Sequence, residues 1–278
     1  MIGTPDDDGT VVARAVEEDL GAGDASALLI PPAAAGRARV IARESAVVCG
    51  RPWFDGVFEY LDPRVRVSWQ IAEGEWAAPA ACLCELTGPA ASLLTGERTA
   101  LNFLQTLSAT ATVTARYVER VAGTGARILD TRKTVPCLRT AQKYAVRVGG
   151  GSNHRMRLDD AILIKENHIA ASGSIEAALG RALAHGHGLE VEIEVESVAD
   201  LERALAAGAA RVLLDNFSLA DLRAAVELNA GRARLEASGG VSLDNVREIA
   251  LTGVDDISVG ALTKNVSAVD LSMRFLPA

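Results

Sequence analysis

The sequence predicts an α/β protein in which a parallel barrel follows a smaller, sheet-containing N-terminal domain. Three observations predict it. After Gly125, short β-branched runs alternate with segments of helical periodicity; nearly every run ends in a charged residue or glycine; and residues 37–94 instead read as β-rich runs punctuated by Gly, Pro and Asp. Alternating elements with short loops imply parallel strands joined by right-handed crossovers, in a barrel or an open doubly wound sheet. Polar groups at the carboxyl ends of successive strands favour the barrel, because a doubly wound sheet gathers them at one switch point.

The elements follow in order. Val12, Val16 and Leu20 lie four apart behind polar Asp8 and Thr10, which predicts a short capped helix over 9–20. The runs ARVIARESAVVCG, RVRVSWQIAEGE and CLCELTGPAASLL predict a small sheet. A long helix is expected over 97–122, with Leu101, Leu104, Leu107, Ala111 and Val113 on or near one face and Gly123-Thr124-Gly125 ending it. The barrel strands read ARILDT (126–131), AILIK (161–165), VEIEVE (191–196), RVLLD (211–215), RLEAS (234–238) and DISVG (256–260). Between them stand CLRTAQKYAVRV, SIEAALGRALAH, VADLERALAAG, LADLRAAVELNA and LDNVREIAL, each with helical periodicity.

Composition limits the function. The 278 residues are 49% hydrophobic, enough for a large core. A formal net charge of −8 argues against general affinity for nucleic acid or acidic membranes. The opening MIGTPDDDGT has no cationic or apolar leader pattern, and no stretch of eighteen uncharged apolar residues follows. A soluble, cytoplasmic protein is expected. Cys49, Cys82, Cys84 and Cys137 lack metal-ligand spacing and read as reduced thiols. Within this acidic chain, residues 130–168 hold eight Lys and Arg residues against four acids, which suggests a small anionic ligand.

Several constellations could carry chemistry. In Glu190-Val191-Glu192-Ile193-Glu194-Val195-Glu196, the strand period of two puts all glutamates on one face. On an antiparallel edge that face would be solvated. In a parallel barrel, Val191, Ile193 and Val195 pack outward against helices and the glutamates point into the lumen, where they need cations. Asp130-Thr131-Arg132-Lys133-Thr134 stands where a strand stops, and on its own is also consistent with an exposed turn. GGGSNHRMRLDD (149–160) lacks the Gly-Lys-Ser/Thr of a Walker loop and reads as a flexible connection delivering His154 and Arg155. His168 reads as a satisfied loop histidine, and His185 with His187 as surface. Ser238-Gly239-Gly240 and Val259-Gly260-Ala261 place small residues after late strands, where bare N–H groups can approach phosphate.

Taken together, EDLGAGD (18–24), GERTALNFLQ (96–105), DTRKTVPCLR (130–139), KYAVRVGGGSNHRMRLDDAILIKENH (143–168), EVEIEVE (190–196), LLDNF (213–217), EASGG (236–240) and DISVGALT (256–263) resemble the quinolinate phosphoribosyltransferase family over nearly the whole chain. The resemblance implies an incomplete α/β barrel of fewer than eight strands over 106–264. With it goes an N-terminal α/β sandwich domain over 1–105, joined by 265–278. It implies transfer of phosphoribosyl from phosphoribosyl pyrophosphate to quinolinate with decarboxylation, giving nicotinate mononucleotide for NAD biosynthesis. It further implies a homodimer in which Arg98 reaches the partner's site. Thr131, Arg132, Lys133, His154, Arg155 and Lys165 would line the quinolinate pocket. Glu194 and Asp215 would hold the ribose and the Mg²⁺-bound pyrophosphate, with Mg²⁺ carried mainly by the pyrophosphate itself. Lys133, Lys165, Glu194 and Asp215 would be the catalytic set. Residues 238–240 and 259–261 would bind the 5′-phosphate.

The chain departs from the family pattern in two places, LSATAT (107–112) where LSGIAT is usual and Gly23-Asp24-Ala25-Ser26 where GDxT is usual. Neither removes a charged site residue. Three other readings compete: a molybdenum-uptake paralogue on the same fold, a Schiff-base barrel enzyme using Lys133 or Lys165, and a non-catalytic anion sensor. The joint presence of Arg98, Arg132, His154, Arg155 and Lys165 favours quinolinate.

Overall fold

The computed structural model describes residues 9–276, and Asp8, expected at the first helix cap, lies outside them. The chain forms two compact units. The first runs to Ala115 and includes Thr134–Gly150 and the chain from Asn265; the second is Arg116–Lys133 with Gly151–Lys264. The stretch 134–150 therefore groups with the first unit, although the sequence boundary at 105/106 assigned it to the barrel.

In the first unit, helix α1 (Thr10–Leu20) buries Val12 and Val16 as their spacing requires. Strands β1 (Ala35–Ala42), β3 (Arg66–Trp69), β5 (Cys82–Pro89) and β12 (Leu271–Phe275) form an antiparallel sheet in the order β12-β1-β5-β3, while β2 (Ala46–Val47) pairs with β4 (Trp76–Ala77). Two helices depart from expectation. Helix α2 (Arg51–Leu61) interrupts the β-rich region, with a proline in its first turn and Trp53, Phe54, Val57 and Phe58 buried. Helix α3 (Ala90–Val121) begins at Ala90, so the end of CLCELTGPAASLL is helix and not strand. Leu101, Leu104, Leu107 and Ala111 are buried on it, as expected, but Val113 is only half-buried. Gly96 is glycine for a packing reason: a Cβ there would stand 2.6 Å from the Phe58 ring. Helix α4 (Arg139–Val148) packs Tyr144 edge-on to Trp53 at 5.3 Å.

Both departures from the family pattern have a local structural context. Asp24 accepts the N–H groups of Ser26 and Ala27 and opens a 3-10 turn at Ser26–Leu29, while Thr95 donates to its other oxygen. In LSATAT, the Ser108 and Thr112 hydroxyls accept the Cys49 and Val47 N–H groups. The Thr110 hydroxyl, where the family pattern has isoleucine, is buried without a hydrogen-bond partner.

The second unit is a six-stranded parallel sheet in the order β6-β11-β10-β9-β8-β7. Its strands are β6 (Arg127–Leu129), β7 (Ala161–Ile164), β8 (Glu190–Val195), β9 (Arg211–Asp215), β10 (Arg234–Ser238) and β11 (Asp256–Ser258), in the six runs expected. Helices α6 (Ile175–His185), α7 (Val198–Ala206), α8 (Leu219–Asn229) and α9 (Val246–Ala250) connect them, with Ser174, Ser197 and Ser218 capping the first three. Two short helices were not anticipated, α5 (Glu166–Ser172) and α10 (Ala261–Lys264). Strands β6 and β7 form the two edges, and Ser152 extends the β6 edge by one bridge to Leu129. This is an incomplete, barrel-like sheet of fewer than eight strands. Ile193, Val212, Leu214, Leu235, Ile257 and Val259 are all buried, the apolar half of each alternation that the helices cover. Among the described residues, no helix is long and apolar enough to cross a membrane.

Replacing the unpaired hydroxyl with a methyl group removes a desolvation cost without changing shape. Thr110→Val is expected to raise unfolding stability by about 1 kcal/mol, read as a higher denaturant midpoint at unchanged slope. A lower midpoint would mean that the hydroxyl has a partner.

Candidate active site

The strand alternation that buries aliphatic side chains on the helix side sends every second residue into the lumen, in layers. At the carboxyl rim, the Lys165 ammonium following β7 pairs with Glu194 of β8 at 2.8 Å. Asp215 of β9 stands in register with Ser238 of β10 and accepts the Asn216 side-chain amide at 2.7 Å. Gly260 follows β11, where a Cβ would lie 3.2 Å from the Lys133 side chain and 3.7 Å from the Thr131 hydroxyl. Thr263 donates to the Lys133 carbonyl at 2.8 Å. Lys165, Glu194, Asp215, Ser238, Gly260, Thr131 and Lys133 thus follow the rim along six consecutive strands.

One layer below, His154 sits with its Nε2 2.8 Å from Glu192, while its Nδ1 accepts the Arg155 N–H. The proton of the neutral ring is therefore on Nε2, which donates to Glu192. Arg211 of β9 donates from Nε to Glu192 and from Nη2 to Glu236 of β10. Burial works against charge on Glu192, but His154 and Arg211 outweigh it and hold its carboxyl below the usual range. Burial and the neighbouring Glu192 push Glu236 above that range, so the charge resides on Glu192. His154, Glu192 and Glu236 bring ligand atoms within 4.8 Å of one another. The guanidinium of Arg211 already meets both carboxylates where a metal ion would.

A third layer lies at the strand starts, where Asp256 accepts from both Arg127 and Arg234. Sequence reasoning singled out none of Arg127, Arg211, Arg234, Glu236 and Asp256. Their signal was a charge at the first or third residue of a strand otherwise made of aliphatics. Asp130 has no role of its own in the sequence reading of the Asp130–Thr134 strand end, yet it is fully buried and accepts the His154 N–H at 2.9 Å and the Asn153 side-chain amide.

The other expected site residues are distributed as follows. Arg155 is half-buried and donates to the Ala161 carbonyl; burial and the nearby Arg132 charge push its guanidinium below its ordinary pKa. Gly239 and Gly240 are exposed with φ of 89° and 59°. Val259 is buried and its N–H is taken by the Leu129 carbonyl, which leaves Gly260 and Ala261 as the small residues of that turn facing the rim. Arg98 is exposed on α3 in the first unit. His168 is satisfied, accepting the Lys165 N–H in the first turn of α5, and His185 and His187 are exposed, as expected.

Fold and site together define a protein with an incomplete α/β barrel and a rim of charged and small residues at the carboxyl ends of its strands. The chain belongs to the quinolinate phosphoribosyl transferase family: the family's N-terminal domain matches residues 24–108 and its C-terminal domain residues 110–274. It is 40% identical over 272 residues to nicotinate-nucleotide pyrophosphorylase (carboxylating) of Mycobacterium leprae, covering 94% of this chain and 95% of that one. It is 39% identical over 254 residues to the Rattus norvegicus protein of the same name, covering 89% of this chain and 84% of that one. The solved nicotinate-nucleotide pyrophosphorylase of Francisella tularensis superposes with a TM-score of 0.95 at 42% identity, over 99% of this chain and 98% of that one.

The rim makes one demand on glycine that a single substitution tests. A Cβ at Gly239 would stand 2.1 Å from the Asn216 side chain, and φ there is 89°. Gly239→Ala is expected to displace Asn216 and to cost about 1–3 kcal/mol of stability, measured by denaturant unfolding. A variant as stable as the parent would show that the turn relaxes freely.

Proposed function

We infer that this chain transfers the phosphoribosyl group of phosphoribosyl pyrophosphate to quinolinate and decarboxylates the product, releasing nicotinate mononucleotide, pyrophosphate and carbon dioxide in NAD biosynthesis. The observation that carries the reading is a set of cations on separate segments: Lys165 paired with Glu194 at the rim beside Asp215, and His154 on Glu192 one layer below, followed by Arg155, on which the Arg132 charge acts. Adjacent carboxylates on a planar ring suit guanidinium forks, which bind them bidentately. Family membership supports the same substrates.

The residues then divide the work. Arg132, His154, Arg155 and Lys165 hold the two carboxylates, and Thr131 and Lys133 close the pocket where they meet Gly260. The pyridine nitrogen attacks the anomeric carbon as the bond to pyrophosphate breaks. Glu194 and Asp215 orient the ribose hydroxyls and stabilise positive charge developing on the sugar. The pyridinium so formed takes the electron pair left when the adjacent carboxylate departs as carbon dioxide, and the ring carbon is then protonated. Ser238, Gly239 and Gly240, with Val259, Gly260 and Ala261, would cradle the 5′-phosphate. Lys165, paired with Glu194, acts as a charge and not as a Schiff-base nucleophile.

Mg²⁺ is the proposed cofactor. Two rim carboxylates on adjacent strands, one of them already compensated by Lys165, fit an ion that takes most of its oxygen ligands from pyrophosphate and water and few from protein. When bound, it supplies neutralisation of the leaving group. A homodimer is also proposed, with Arg98 given to the partner's pocket. A cytoplasmic setting accords with four free cysteines.

Protein incubated with quinolinate, phosphoribosyl pyrophosphate and Mg²⁺ is expected to release carbon dioxide and nicotinate mononucleotide together; folded protein yielding neither would refute the reading. Arg155→Ala is expected to weaken quinolinate binding by about 2–4 kcal/mol. Arg98→Ala and Lys165→Ala should each be nearly inactive, and subunit exchange between them should restore activity. Confirmed exchange without recovery would place Arg98 in its own subunit's site or in none.

A further inference from the structure

The residues assigned to the reaction leave a set of buried ionisable groups without a task. Glu192 and Asp130 hydrogen-bond to the site, both at His154, and Glu236 stands 3.7 Å from the same ring nitrogen behind Glu192. Glu192 is 3% exposed and accepts the His154 ring proton. Asp130 is 0% exposed and accepts the His154 backbone N–H. Ring and backbone of one histidine are thus held by separate carboxylates, Glu192 on β8 and Asp130 just after β6.

The grip has a fixed frame behind it. Glu192 is held by Arg211, and Arg211 is held in turn by Glu236 and, at 3.2 Å, by Asp256, so four neighbouring strands set where the Glu192 carboxylate stands. Asp130 is held by the Asn153 amide and by its own N–H to the Ser152 carbonyl, which ties residues 152–154 to the β6 edge. Between them the turn has little freedom. The Arg155 N–H donates to His154 Nδ1, so fixing the ring also fixes where the Arg155 side chain departs.

We propose that Glu192 and Asp130 are positioning residues that lock the His154–Arg155 turn in the geometry that receives the substrate dicarboxylate, with Arg211 as the hub that holds Glu192 in place. Neither carboxylate meets the substrate. Glu192 also fixes the tautomer: it keeps the ring proton on Nε2 and leaves Nδ1 as an acceptor for Arg155, so the turn is organised before ligand arrives. This rests on the reading that His154 and Arg155 bind quinolinate.

The test uses the full chain with Glu192→Ala, Glu192→Gln and Asp130→Asn, each first shown to be folded by circular dichroism. Two readouts are taken: quinolinate affinity by calorimetry, with the KM for phosphoribosyl pyrophosphate alongside, and the imidazole nitrogen resonances of ¹⁵N-histidine protein, assigned with His154→Gln. Burial works against charge on His154, but Glu192 and Glu236 outweigh it and raise its pKa, so spectra are taken at a pH high enough to keep the ring neutral, where the parent His154 should show a single tautomer protonated at Nε2. Glu192→Ala should lose that signature and lower quinolinate affinity by on the order of tenfold or more, with the phosphoribosyl pyrophosphate KM within about twofold. Glu192→Gln retains an acceptor and should fall between the two.

Folded Glu192→Ala with the parental His154 resonances and parental quinolinate affinity would overturn the proposal. So would an equal loss for both substrates, which marks a general structural role. If Glu192→Ala does not fold, Glu192→Gln and Asp130→Asn decide by the same criteria. If the parent binds no quinolinate, the substrate reading fails, and the tautomer measurement still judges the positioning claim.

Discussion

The barrel-like unit depends on one buried interaction, the bridge that Arg211 makes between Glu192 and Glu236. A parallel sheet covered by helices must present aliphatic side chains outward, so whatever alternates with them faces the lumen. Here many of the alternating residues are charged, and buried charge is tolerated only where it is paired. Arg211 is the cation that makes two adjacent glutamates compatible with the strand pattern. Below it, Asp256 does the converse for Arg127 and Arg234. Such pairs add little net stability, because desolvation offsets most of the Coulomb gain. Removing one partner, however, strands the other, so they specify which side chains must stand opposite one another.

That constraint orders the site above it. Glu192 and Glu194 are two residues apart on β8 and face the same side, yet the first is committed to Arg211 and His154 and the second to Lys165 at the rim. The lower layer is closed and fixed; the upper layer is open, with the Lys165 side chain 45% exposed. A rim of accessible cations standing on a buried, internally compensated floor can bind anions without rearranging its own charges, which is the preorganisation that transfer through a charged transition state requires. In the free protein the Arg132 charge works against that of Arg155, a cost that the proposed dicarboxylate would relieve on binding.

Much of this was legible in the sequence because period and punctuation are local signals. All six barrel strands and the longer helices between them, though not the short α5 and α10, follow from periodicity, and the inward direction of the glutamates follows once the sheet is taken as a parallel barrel. Helix α2 was not read because Trp53, Phe54, Val57 and Phe58 lie in a segment flanked by strands, and the proline at its start was passed over as a turn signal. The early start of α3 is hidden because CLCELTGPAASLL reads as one β-rich run, whereas Pro89 closes β5 and the helix follows at once. Residue 110 shows the reverse case: the sequence marked the position as unusual, and only the buried, unpartnered hydroxyl explains in what way. The lumen charges were invisible for a different reason. Arg211 gains its meaning from Glu192 and Glu236, which lie 19 and 25 residues away, and no periodicity within one strand reports a partner on the next.

The account turns on where the substrate's two carboxylates come to rest. A crystal structure of the chain with quinolinate measures this directly. The ring is expected over the lumen, its carboxylates against Arg132, Arg155, His154 and Lys165, with the Glu192–Arg211–Glu236 layer unmoved beneath. Quinolinate bound away from these cations, or reaching Glu192 in place of His154, would contradict it.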